Sequence, residues 1–253
     1  MANALHSYPM RHAYREQLDM LIHDLLQMAD FTNNAMESAT NALLTANLKL
    51  AEEVVDSIEV IERQRDEASE KAFEILLLQS PLARELRLVV AAISIVDNLT
   101  RMGTLAIHVA KIARRRHPEV AVPEELRGYI SEMSRLGCAA ATKVHDILTS
   151  ADPDEALELL TDDDAVDDIH QHLFILTTQR EWPYTVREAV DLTLLSRYYE
   201  RFSDHAVTIG ERMVYLATGM KSEEYSESIL EKQAEDEIRA KFKEVARRYG
   251  STF

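Results

Sequence analysis

Apolar residues recur along most of this chain at intervals of three and four, the spacing that gathers them on one face of an α-helix. From Arg11 to Ala46 the stripe is Leu18, Leu21, Leu25, Met28, Met36, Ala39 and Leu43. A second helix is predicted from about Leu48 to Gln79, stopped at Ser80-Pro81 because proline disfavours helical backbone in the residue before it. A third runs from about Leu82 to Arg116 and ends at His117-Pro118. Pro123 suits the first turn of a fourth, Pro123 to Thr149. Asp152-Pro153 opens a fifth with Asp152 as its N-cap, and this one ends near Trp182-Pro183. The sixth covers about Tyr184 to Thr218, with Gly219 just past its end. After it comes a polar segment of mixed charge, residues 220–253, where Ile229, Ile238, Phe242 and Val245 form a thin apolar stripe. That predicts a marginal helix resting loosely on the body or on a partner. The opening residues 1–9, MANALHSYP, read as an unstructured lead-in.

The helices repeat. Shifting the sequence by 100 positions lays LTRMGTLAIHV, from Leu99, on YERFSDHAVTI, from Tyr199. A shift of 105 lays LAEEVVDSIEVIE, from Leu50, on EALELLTDDDAVD, from Glu155. The expected fold is therefore all-α: two tandem three-helix bundles of long antiparallel helices, residues 10–118 and 123–219. Gly103, Ala106, Ser203 and Ala206 let neighbouring helices approach closely, which is a packing role.

Composition removes several functions. The formal net charge of −16 opposes binding to nucleic acid phosphates. Dinucleotide, phosphate-loop and zinc-protease motifs are absent. A lone cysteine, Cys138, cannot form an intramolecular disulfide and fits a reducing cytosol. The apolar run LVVAAISIV, from Leu88, is short for a bilayer and gives way to Asp97 and Arg101, so no membrane span is expected. The basic run RRRH, from Arg114, sits at a helix end, where cations offset the last carbonyls.

Two acidic pairs stand out against this background. Glu200 and Asp204 lie one turn apart among Tyr199, Phe202, Ala206 and Ile209, and Asp163 and Asp167 lie one turn apart on the preceding helix. With 44 acids in the chain, about seven or eight such pairs arise by chance, so spacing alone decides nothing. The repeat decides more, because it puts these two pairs on consecutive antiparallel helices of one bundle. Four carboxylates converging there repel one another unless some stay protonated or cations sit among them. An all-oxygen set suits Mg, Mn, Ca or Fe better than Zn, and His205 or His170 as an additional ligand widens the choice.

YYERFSDHA followed by VYLATG, together with LLLQSPLARELR from Leu76, resembles the PhoU family, accessories of bacterial phosphate uptake. The resemblance runs from Met10 to Gly219 and includes DDDAVDDIHQHLF. It implies two bundles, each with acidic motifs on adjacent helices that hold multinuclear clusters of Fe, Zn, Mn or Mg. The second bundle keeps the pattern at Asp163, Asp167, Glu200 and Asp204. The first has Ile58, Glu62, Thr100 and Thr104 in those places, so its site is degenerate and metal is expected mainly in the second. The resemblance also implies a cytoplasmic, homodimeric regulator rather than an enzyme, linking the ATPase of a phosphate ABC transporter to a sensor histidine kinase and restraining uptake and the starvation response when phosphate is plentiful. Two other readings stay open from the residues: a metal-free helical scaffold, and a carboxylate-bridged di-metal enzyme, to which Asp167-x-x-His170 is a partial match.

Overall fold

The structure, a computed structural model, describes residues 7–79, 81–161, 164–179 and 181–249, and every regular element among them is helical. The first repeat is α1 (Ser7–Thr45), α2 (Leu48–Asp56) with α3 (Ile58–Gln79), and α4 (Arg84–Arg116). The second is α5 (Arg127–Ser150), α6 (Pro153–Thr161) with α7 (Asp164–Thr178), and α8 (Val186–Thr218); α9 (Ser222–Tyr249) follows.

The middle helix of each repeat, read from the sequence as continuous, comes in two pieces. Between α2 and α3, Ser57 donates its hydroxyl to the Val54 carbonyl at 2.7 Å while Val60 N–H closes a tight turn on the Ser57 carbonyl at 3.0 Å. A hydroxyl bonded back to the preceding turn in this way bends a helix, and here it accompanies the break. Asp162 and Asp163, between α6 and α7, lie outside the described residues. Pro123 is extended (φ −51°, ψ 144°) and precedes a 3₁₀ turn, Glu124–Leu126, so α5 begins at Arg127. α8 begins at Val186 rather than Tyr184 because Thr185 and Glu188 form a reciprocal capping box. Ser7–Pro9, expected as lead-in, belong to α1; the remainder of that lead-in lies outside the described residues.

α8 ends on Gly219 at φ 77°, as expected, but α5 ends on Ala151 at φ 52°. A Cβ makes this left-handed conformation costly and glycine does not. Ala151→Gly is expected to stabilise the protein by about 1 kcal/mol, raising the melting temperature by roughly 3 °C.

α1 and α4 pack on each other and against α5 and α8, so the two repeats share one core containing Met28, Leu99, Met102, Tyr199 and Phe202. The small residues do pack: a Cβ on Gly103 would stand 2.0 Å from Ile61 Cδ1, and Ala106 and Ala206 are fully buried. Thr40 donates to the Met36 carbonyl at 2.8 Å, so its oxygen accepts from Tyr199 at 2.7 Å and from Ser134 at 2.9 Å. This buried contact among α1, α5 and α8 fixes the rotation of α8 and turns the next residue, Glu200, away from α1. At the far end of the junction, buried Asp191 of α8 receives Arg115 Nη2 at 2.5 Å. Arg116 Nε lies 2.7 Å from the other oxygen of Asp191, close enough to pair by charge but off the hydrogen-bonding direction. The basic run at the end of α4 thus clasps the second repeat.

Glu85–Arg116 is long and apolar enough to cross a membrane, contrary to the reading of its core segment as too short; 56% of its most apolar window is buried inside this molecule.

Candidate metal centre

α7 runs back along α8, so residues near the start of α7 meet the middle of α8. Thr177 pairs with Thr193 at 3.2 Å and His170 with Ser196 at 2.9 Å; further along the same seam Asp167 reaches Glu200 and Asp204. One carboxylate oxygen from each of the three acids lies within 4.8 Å of the other two. Ligand oxygens bound at about 2.0–2.6 Å to one ion stand up to about 5 Å apart, so the triad is sized for a cation.

Two observations test the fit. Glu200 is 8% exposed, yet its Oε2 has no hydrogen-bond partner, and neither does buried Oδ1 of Asp167. Buried unpaired carboxylate oxygens are costly, and here they converge. Burial first, then the neighbouring Asp204 and Asp167, push the Glu200 carboxyl up to about 7, although Arg197 and Arg201 pull it down. Asp167 is raised as well, by burial and then by Asp204. Hard oxygen donors held against their own charge fit a hard cation.

Sequence reasoning missed Arg197, which pairs with Glu200 Oε1 from three residues upstream on the same face. Its spacing was the available signal. Arg201 lies 4.0 Å from Asp204 Oδ2, a loose pairing at the rim.

The other expected residues fall as follows. Asp163 lies outside the described residues. His170 is beside the triad but faces Ser196, and burial and then Arg197 lower its pKa, keeping the ring neutral. His205 turns the other way, with Nδ1 2.9 Å from Asn98 Oδ1 of α4, and so sits at the junction of the repeats rather than among the acids. In the first bundle Glu62 is exposed, while Thr100 and Thr104 donate to the Val96 and Thr100 carbonyls of their own helix.

The raised Glu200 sets a pH dependence for metal-free protein. Its folded pKa of about 7 exceeds the unfolded value of about 4.3, so its contribution to stability is full below the unfolded value and is lost as pH rises through the folded one. His170 and His205, both lowered, act oppositely below about 6.5, where the unfolded chain takes up their protons. Between pH 6.5 and about 8 the melting temperature of metal-free protein should therefore fall, and Glu200→Gln should flatten that fall.

Comparison with known proteins gives one answer. The PhoU domain model matches twice, over residues 25–113 and 130–213. The chain belongs to the PhoU family. The two matches correspond to the two helical repeats and stop before α9. The chain is 49% identical over 210 residues to "Phosphate-specific transport system accessory protein PhoU homolog 2" of Mycobacterium tuberculosis, covering 83% of this chain and 99% of that one. It is 47% identical to the PhoU homolog 1 of Mycobacterium leprae, over 83% and 95% of the two chains. The crystal structure of PhoU from Pseudomonas aeruginosa superimposes with a TM-score of 0.76 at 25% identity, covering 82% of this PhoU chain and all of that one.

Proposed function

We propose that this PhoU chain is a cytoplasmic accessory regulator of phosphate uptake whose second bundle binds hard metal ions. The phosphate reading is supported by similarity to phosphate-specific transport accessory proteins over nearly their whole length. The metal reading is supported by the convergent, unpartnered oxygens of Asp167 and Glu200. Asp167, Glu200 and Asp204 would hold the ion, with Asp163 as a further acid from the same motif. A bound Fe, Mn or Mg ion would supply the positive charge that lets these acids stay ionised together, joining α7 to α8. Arg197 meanwhile holds Glu200 in place on α8.

Its partners would be the ATPase of a phosphate ABC transporter and a phosphate sensor histidine kinase, held in their restrained states when phosphate is plentiful. Exposed apolar side chains support an adaptor role: Leu77, Leu78 and Leu82 beside Leu86 at one tip, and Val186 with Val190 at the corresponding tip of the second repeat. Such patches mark contact surfaces. Pull-down of the ATPase and the kinase from phosphate-rich and phosphate-starved cells tests the proposal. Both should be retained by wild-type protein in rich medium, with about tenfold less retained by Leu78→Glu, Leu82→Glu. Retention of neither partner by wild type in rich medium, or equal retention by wild type and variant, would contradict it.

A further inference from the structure

α9 begins against the body and then leaves it. Ser222 is buried and Tyr225 donates its hydroxyl to Asp154 of α6 at 2.7 Å. From Leu230 onward every described side chain is open to solvent, including Leu230 at 62%, Ile238 at 55% and Phe242 at 72% exposed. Leu230, Ala234, Ile238 and Phe242 succeed one another at intervals of four, so they share one side of the helix. Helices in proteins draw most of their stability from packing an apolar face, and this 28-residue helix leaves the row unpacked within its own chain. The row needs a partner, and the two PhoU matches, which end at residue 213, do not extend to it.

The charges identify the partner. From Ser222 to Glu237 acids outnumber cations seven to one, whereas from Ile238 to Arg247 four cations accompany one acid. A helix acidic in its first half and basic in its second is complementary to itself reversed. We propose that α9 pairs with α9 of a second copy of this chain, antiparallel and centred near Ile238. In that register Glu235 of one copy comes within about 3 Å along the axis of Arg239 of the other, and Glu237 comes equally near Lys241. Two-fold symmetry makes each pairing twice. Phe242 comes level with Ala234 of the second copy, a large side chain against a small one. A parallel pair would instead set Glu235 on Glu235 and Lys241 on Lys241, which is repulsive. A partner of uniform charge, such as an anionic membrane, would attract the basic half and repel the acidic half. This pairing is independent of the metal and phosphate readings.

Sedimentation equilibrium of full-length protein, with cysteine cross-linking, tests the pairing. Wild type should show a monomer–dimer equilibrium that weakens about tenfold between low salt and about 0.5 M NaCl. Ile238→Asp with Phe242→Asp should weaken it at least about tenfold without lowering the monomer's melting temperature, since both side chains are exposed. In a Cys138→Ala background, Ile238→Cys should cross-link to itself under mild oxidation. Leu230→Cys should not, because antiparallel copies hold the two positions about 24 Å apart along the axis. Protein that stays monomeric, a dimer indifferent to the α9 substitutions, equal cross-linking at both positions, or a monomer that binds anionic vesicles through α9 would each overturn the proposal.

Discussion

Glu200→Gln combined with Asp204→Asn is expected to change stability in opposite directions depending on metal. In metal-free protein the double variant should be more stable than wild type by about 1 kcal/mol, because two mutually repelling carboxyls beside Asp167 become neutral. With a metal at roughly 100-fold its dissociation constant, wild type should gain about 3 kcal/mol from ligand binding to the native state and the variant almost none. The order then reverses, with wild type melting higher by about 5 °C. Differential scanning calorimetry with and without a chelator checks both halves. A metal-free scaffold predicts the first effect without the second.

Asp191→Ala should cost about 3 kcal/mol. Asp191 is 1% exposed and neutralises Arg115 and Arg116 at the end of α4. Removing it leaves Arg116, whose side chain is 8% exposed, buried beside a second cation with only the weaker field of Glu188 to offset it. Breaking a buried pair from one side costs far more than the pair contributes. Arg115 is 60% exposed and relaxes into water, which keeps the figure at the low end. Urea denaturation measures it, and a loss below about 1 kcal/mol would mean that the clasp does not hold the repeats together.

The sequence exposes what is local and periodic. Long helices, the doubled order and Gly219 all follow from spacing and turn chemistry, because few glycines and prolines interrupt the apolar period. The break at Ser57 is not legible that way, since serine is an ordinary helix residue and Ser196 makes the same bond to the preceding turn inside unbroken α8. The capping box at Thr185 and Glu188 was legible, as threonine and glutamate three apart before an apolar run. At the site, one helical turn between Glu200 and Asp204, plus the repeat, suffices to bring in Asp167. What decides His205 is Asn98, which lies 107 residues away on a helix whose rotation depends on the whole junction. No local pattern encodes that pairing, so the histidine's direction comes only from the assembled core.

Elemental analysis of the purified full-length protein, compared with two variants, tests the central claim most directly. Wild type should carry Fe, Mn or Mg in at least equimolar amount, Asp204→Asn should lose it, and Glu62→Gln should retain it, because metal is expected where Asp167, Glu200 and Asp204 meet and not at the exposed Glu62. Wild type without metal after growth and reloading in each of these ions, or metal retained in full by Asp204→Asn, would contradict the account.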